Sequence, residues 1–92
     1  MKHWLLFYDY VLDHLERRTP FRPQHLRLAQ EARDRGELVL AGAYGDGEPG
    51  SLFVWRVDDP ATIERFVEGD PYVKNGVVTH WRIRPWNVVI GG

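Results

Sequence analysis

The sequence predicts an α+β fold in which two helices cover one face of a four-stranded antiparallel sheet. Short runs of aromatic and β-branched residues alternate with segments whose apolar residues recur at helical spacing, in the order strand, helix, strand, strand, helix, strand. The strands are apolar on both faces, which indicates that both sides of the sheet are covered. This order of elements is that of a ferredoxin-like βαββαβ fold.

The size and composition of the chain narrow the classes of function. A chain of 92 residues has room for one core, so we expect residues 1–92 to form a single domain. The formal net charge of -1 gives no electrostatic reason to expect a nucleic-acid partner. The sequence has no cysteine, which excludes disulfides and thiolate metal sites. No stretch approaches the roughly 18 apolar residues of a membrane span, and no leader pattern precedes the first strand, so we expect a cytoplasmic protein without membrane partners.

The first strand and the first helix are separated by a polar connector. Trp4–Tyr8 is dense in aromatic and aliphatic residues and is predicted to be a strand. Asp9–Thr19 has mixed charge, and its His14 is expected to be exposed. The helix begins near Pro23, because proline is well tolerated in a first turn, and it ends at Gly36.

The next two predicted strands form a hairpin. Glu37–Ala43 and Ser51–Val57 are the strands, and the glycine-rich segment Tyr44–Gly50 is the loop that joins them. The loop glycines are followed by a strand rather than by a helix N-terminus, so they do not form a phosphate-binding loop.

A second helix places an acidic residue at the end of its buried side. Pro60 begins this helix, and Phe66 and Val67 belong to its apolar stripe. Asp70 extends the stripe because it lies three and four residues beyond them, and Pro71 stops the helix and restricts the backbone of Asp70. The carboxylate is therefore expected to be held in place and directed at a partner, for which His25 on the inward face of the first helix is the candidate.

The last strand leaves one face of the sheet without a cover. It is predicted to run from near Val77 to Pro85, where the chain bends or lies at an edge. Both helices of a ferredoxin-like fold lie on the same face, so the apolar opposite face needs another partner. A second copy packed sheet to sheet supplies it, and the sequence predicts a homodimer.

Four segments carry a likeness to a known family. They are Arg22-Pro23-Gln24-His25-Leu26, Gly36-Glu37-Leu38-Val39-Leu40-Ala41-Gly42, Asp70-Pro71-Tyr72-Val73-Lys74-Asn75-Gly76-Val77 and Arg82-Ile83-Arg84-Pro85-Trp86. Together they resemble the YCII-related (YciI-like) domain family over nearly the whole chain. The resemblance implies a dimeric α+β barrel of ferredoxin-like protomers and an active-site pair at His25 and Asp70. One similar branch is a cofactor-free dehydrochlorinase of chlorinated hydroxyquinols, and the wider superfamily includes muconolactone isomerases and small monooxygenases.

A histidine oriented by an aspartate can move protons without a cofactor. The predicted function is therefore cofactor-independent acid/base chemistry of the isomerase, lyase or dehydrochlorinase type on a small organic molecule, with His25 and Asp70 as the catalytic residues. Two alternatives remain open at this point. The pair is also typical of a purely structural contact at a helix end, and the fold also suits a non-catalytic dimeric module that binds a small molecule or a protein.

Three further residues are candidates for substrate binding. Tyr72 follows Asp70 closely and offers a second hydrogen bond. His80 on the last strand is expected to line the site, and Arg82 on the same strand face offers positive charge to an anionic substrate. For Arg82 the alternative is a solvated strand face. No histidines have the helical i, i+4 spacing of a metal site, so no metal ligands are predicted.

Overall fold

The structure, a computed structural model, describes residues 2–91 and confirms the predicted α+β class. The elements follow the chain as β1 (Lys2–Tyr10), α1 (His14–Arg17), a 3-10 turn (Thr19–Phe21), α2 (Arg22–Asp34), β2 (Leu38–Ala43), β3 (Gly50–Val57), α3 (Ala61–Gly69), α4 (Pro71–Lys74) and β4 (Val78–Trp86). The strands form one antiparallel sheet in the order β2-β3-β1-β4. This is the order of a ferredoxin-like fold, with β2 and β4 at the edges.

The segment predicted to be a connector contains a helix that the sequence analysis missed. Helix α1 has 4 residues, too few to show the recurring apolar pattern by which helices are recognised in a sequence. It brings the ring of His14 onto Tyr10, parallel to it with centroids 5.2 Å apart. His14 is therefore half-buried, whereas the sequence predicted an exposed side chain. The longest helix, α2, has 13 residues, and within residues 2–91 no helix combines the length and apolarity that a membrane crossing requires.

The core lies between the helices and one face of the sheet. Alternation along β1 buries Leu6 and Tyr8 on this face, since successive side chains of a strand point to opposite sides. The buried residues of the other elements that pack with them are Ala32, Leu38, Phe53, Trp55, Val57, Ile63, Phe66, Val67, Tyr72, Val77 and Val78. Burying this apolar surface holds α2 and α3 against the sheet.

The opposite face of the sheet, hereafter the open face, has apolar side chains where β1, β2 and β3 cross it. Leu5 pairs with Val54 and Phe7 pairs with Leu52 across β1 and β3, so these side chains share the side that points away from the core. Leu40 of the neighbouring strand β2 is 67% exposed. The prediction that both faces are apolar is therefore correct for the inner strands β1 and β3, whereas the edge strand β4 brings charged side chains to the open face.

The chain changes direction at Asp70. Helix α3 ends at Gly69, and Asp70 takes an extended conformation with φ -75 and ψ 120, as expected for a residue that precedes proline. Pro71 ends α3 as predicted, but it also begins α4, because its fixed φ suits a first helical turn. Gly76 then adopts φ 72 to lead the chain into β4.

Candidate active site

Three hydrogen-bond donors converge on the carboxylate of Asp70, which is fully buried. The Tyr8 hydroxyl donates to Oδ2 over 2.7 Å, and the backbone N–H of Tyr72 donates to Oδ1 over 3.0 Å as the cap of α4. His25 Nδ1 lies 3.0 Å from Oδ1 and 2.9 Å from Oδ2. The structure therefore brings together His25 and Asp70, the two residues that the sequence analysis selected.

The hydrogen bonds of Asp70 determine which nitrogen of His25 carries a proton. A carboxylate that receives several donors is stabilised in its charged form, and a charged carboxylate can only accept. His25 Nδ1 must therefore donate to Asp70. In the neutral imidazole Nε2 then has a free lone pair, which is the state of a general base.

Two aromatic rings hold the imidazole of His25 in place. The ring of Tyr72 stacks on it, with centroids 3.9 Å apart and planes 8° from parallel. Phe53 presents its edge, with centroids 6.1 Å apart. Together with the bonds to Asp70, these contacts leave the ring a single orientation. His25 is 7% exposed, and it is among the residues that line a pocket.

That pocket lies between α2, the hairpin strands and the end of β1, and has a volume of about 260 Å³. Its lining combines the two aromatic rings that contact His25 with hydroxyl groups, arginines and small residues: Tyr10, Arg18, Arg22, His25, Leu26, Ala29, Ala41, Gly42, Ala43, Ser51, Phe53 and Tyr72. Tyr10 and Ser51 are hydrogen-bonded to each other over 2.7 Å. A small ligand in this pocket would contact the imidazole and several polar groups.

The tyrosines of the site remain neutral at physiological pH. Burial raises the pKa of the Tyr8 hydroxyl, and the adjacent charge of Asp70 raises it further. Burial also raises the pKa of Tyr10 to about 12, and it raises the pKa of Tyr72. Tyr8 is therefore a permanent donor to Asp70, and the hydroxyl of Tyr10 is available to a ligand in its protonated form.

Four polar residues of the pocket were not predicted from the sequence, namely Tyr10, Arg18, Arg22 and Ser51. Arg22 lies three positions before His25 on the same helix, and this spacing was a usable signal. Arg18 gave no such signal, because its place depends on the 3-10 turn that follows it. Tyr10 and Ser51 are brought together by the pairing of β1 with β3, which hydropathy alone does not reveal.

His80 and Arg82, which were predicted to bind substrate, do not line this pocket. His80 pairs with Asp9 and Arg82 pairs with Phe7, so both side chains project from the open face. The Arg82 guanidinium lies over the Phe7 ring at 4.5 Å from its centroid. Tyr72, the third predicted binding residue, does line the pocket.

A larger hollow of about 640 Å³ lies at the other end of the sheet, where His3 and Trp86 are among its lining residues. It contains a histidine but no carboxylate partner for it. In the part of the chain from residue 2 to residue 91, no three His, Asp or Glu side chains gather as a metal-binding cluster. The pocket at His25 is therefore the stronger candidate for chemistry.

Comparisons with known proteins agree with the fold. The sequence matches the family described as the YCII-related domain over residues 1–87. The protein YciI of Escherichia coli O6:H1 is 31% identical over 86 residues, which cover 84% of this chain and 88% of the relative.

Solved structures with low sequence identity share the fold. The 5-chloro-2-hydroxyhydroquinone dehydrochlorinase TftG from Burkholderia phenoliruptrix, in complex with 2,5-dihydroxybenzoquinone, superposes with a TM-score of 0.76 at 19% identity, over 92% of this chain and 93% of that one. An antibiotic biosynthesis monooxygenase superposes with a TM-score of 0.57 at 10% identity, over 98% of this chain and 100% of that one. At these identities the likeness extends to the fold alone.

Because the Tyr8 hydroxyl is buried, we expect the folded protein to lose stability at alkaline pH. In the unfolded chain it ionises near pH 10, whereas the raised pKa keeps it protonated in the folded chain. The stabilisation that the protonated Tyr8 hydroxyl gives the fold is fully present below about pH 10, and it is lost as the pH rises above that value. Above about pH 10, each buried tyrosine of this kind lowers the free energy of unfolding by about 1.4 kcal/mol for every unit by which the pH rises.

Tyr8→Phe tests this expectation in urea titrations at a series of alkaline pH values. The variant is expected to be less stable at neutral pH by about 1–3 kcal/mol, because Asp70 loses a donor. Its alkaline slope is expected to be smaller than that of the wild type by about 1.4 kcal/mol per pH unit. The contribution of Tyr10 is present in both proteins and cancels. Equal alkaline slopes would show that the Tyr8 hydroxyl is not buried against Asp70.

Proposed function

The chain belongs to the YCII-related domain family, and we propose that it is a small cofactor-independent enzyme in which His25 and Asp70 perform acid/base chemistry on a small organic molecule. The observation that supports this most directly is the orientation of the imidazole. Its Nδ1 is occupied by a buried carboxylate, while the ring lines a pocket. A contact made only for stability would not require the rest of the ring to border a cavity.

The arrangement suits reactions that need one well-placed base. Nε2 of His25 takes a proton from an acidic C–H or O–H of the substrate, and the electron pair stays on the substrate. In an isomerisation the imidazolium returns the proton at another atom. In an elimination the electron pair forms a new double bond and expels a leaving group such as chloride. In both cases Asp70 stabilises the imidazolium without taking its proton.

A fold-level analogy supports the elimination branch of this proposal. TftG, which shares the fold, is named as a dehydrochlorinase. Loss of HCl from an activated ring needs a base and an environment that accepts negative charge, and both are present in the pocket of this chain. Because fold does not by itself imply function, the residues of the site carry the proposal.

We also propose that the active form is a homodimer packed through the open face. Leu5, Phe7 and Leu52 are apolar, and they lie together in the middle of the sheet rather than singly. Leu40 extends the same surface to the edge strand. A contiguous apolar face of this kind is typical of an interface, and a second copy would cover it with an identical face.

The catalytic proposal predicts that His25→Gln abolishes turnover but leaves the fold intact. The assay screens small hydroxylated and chlorinated aromatic compounds by NMR for products or for exchange of carbon-bound hydrogen with solvent. Loss of the general base is expected to lower the rate by a factor of about 10²–10⁴. The control is Arg27→Gln, an exposed position of the same helix that does not line the pocket, and it is expected to have wild-type activity.

Two outcomes would contradict the catalytic proposal. One is a substrate that His25→Gln converts at the wild-type rate. The other is a set of compounds that stabilise the wild type against heat without being changed by it, which would favour the non-catalytic binding module. Thermal shifts measured on both proteins separate binding from turnover.

The dimer proposal predicts that charge on the open face produces monomers. The variant Leu40→Glu/Leu52→Glu is expected to elute as a monomer with a light-scattering mass half that of the wild type, since two carboxylates per protomer would lose their hydration at the interface. The control is Leu12→Glu/Leu15→Glu, two positions off the sheet that are 89% and 62% exposed. A wild type that is monomeric at micromolar concentration, or a dimer that survives the change at Leu40 and Leu52, would refute the proposal.

A further inference from the structure

Two arginines lie at the same pocket as His25. Arg18 precedes the 3-10 turn, Arg22 is the first residue of α2, and both line the pocket. Burial raises the pKa of the Tyr72 hydroxyl, and the positive charges of Arg18 and Arg22 oppose that rise, so both guanidinium groups act on a ring that lines the pocket. Because Arg22 and His25 are three positions apart, they share one face of the helix, with Cβ atoms roughly 5–6 Å apart. A group bound by Arg22 is therefore within reach of the imidazole.

The positive charge of these arginines is not balanced at the pocket. Among residues 2–91, neither Arg18 nor Arg22 forms an ion pair with a carboxylate, and no Asp or Glu lines the pocket. The carboxylate of Asp70 does not line the pocket, and its oxygens already accept hydrogen bonds from three donors. Helix α2 also begins here without a side-chain cap and without an acidic residue in its first turn, so the positive end of its dipole adds to the field.

The walls and the volume of the pocket define the shape of its ligand. Tyr10, Phe53 and Tyr72 provide aromatic surfaces, and the β2 side is made of small residues from Ala41 to Ala43. The volume of about 260 Å³ is below the range of roughly 300–1,000 Å³ that is usual for drug-sized ligands. A single planar ring with one or two substituents fits these limits.

We propose that the pocket binds a small planar acid, a molecule with one unsaturated ring and one anionic oxygen group, and that Arg18 and Arg22 bind that group. This inference rests on the proposed function and adds a substrate class to it. The guanidinium groups bind the anion through charge-assisted hydrogen bonds, while the ring lies among Tyr10, Phe53 and Tyr72. Arg18 and Arg22 are then specificity-determining residues that exclude neutral analogues.

The same arginines would assist the reaction. When a substrate proton moves to Nε2 of His25, the electron pair left behind is delocalised through the unsaturated ring onto its oxygen substituents. Guanidinium groups beside those oxygens stabilise the negative charge as it develops. The base and the positive charge therefore act on opposite ends of one conjugated system.

The test compares a carboxylate with its uncharged amide. Benzoate and benzamide have nearly the same shape, and their dissociation constants are measured by NMR titration of the wild type and its variants. The wild type is expected to bind benzoate at least about tenfold more tightly than benzamide. In Arg18→Gln/Arg22→Gln this ratio is expected to fall to near one. The control Arg27→Gln/Arg65→Gln removes the same charge from exposed positions that do not line the pocket, and is expected to keep the wild-type ratio.

Three outcomes would overturn the inference: equal binding of benzoate and benzamide by the wild type, no binding of benzoate, or an equal loss of preference in the control pair. Because the readout is binding, it is independent of turnover. A preserved preference for benzoate with no activity on any planar acid would refute the proposed reaction and leave the anion site standing. Turnover that depends on His25 but acts only on neutral compounds would support the proposed reaction and refute the anion site.

Discussion

The buried carboxylate of Asp70 is the constraint on which the candidate site depends. A charge in the interior of a protein is tolerated only where it is paired and hydrogen-bonded. Asp70 meets this requirement with donors from three different elements, namely Tyr8 on β1, His25 on α2 and the backbone of Tyr72 on α4. The same bonds that compensate for its burial fix the sheet, the long helix and the short helix relative to one another. They also fix the protonation pattern of His25, and this links the stability of the fold to the chemistry of the pocket.

The ferredoxin-like topology brings these donors together, although they are far apart in the sequence. The central strand β1 carries Tyr8 on the core face, and α2 crosses that face with His25 in its first turn. The junction between α3 and α4 then supplies Asp70 and Tyr72 from the far end of the chain. The pocket opens where the start of α2 meets the hairpin strands, so that aromatic walls, a base and positive charge border one small volume.

Much of the fold could be predicted from the sequence, because strand faces and helix ends depend on local patterns. The pairing of His25 with Asp70, which lie 45 positions apart, was also predicted, from the core-facing position of each residue and from the family resemblance. The alternation at Leu5 and Leu6 and the proline after Asp70 are short-range signals of strand faces and of a fixed backbone. The rest of the pocket depends on contacts between distant segments. The position of Arg18 follows from the turn that α1 and the 3-10 segment make before α2, and an element of 4 residues carries too little pattern to be recognised. His80 and Arg82 were assigned to the site by residue type, but the register of β4 with β1 directs them to the opposite face.

The catalytic role of His25 requires that Asp70 holds the ring with its proton on Nδ1 and leaves Nε2 free to act. Nitrogen-15 NMR of the imidazole, in the wild type and in Asp70→Asn at a pH where the ring is neutral, tests this most directly. In the wild type, Nδ1 is expected to have the chemical shift of a protonated nitrogen and Nε2 that of an unprotonated one, and this preference is expected to be lost in the variant. A wild-type ring with its proton on Nε2, or a tautomer that does not change when Asp70 is replaced, would show that the carboxylate does not set the protonation of His25.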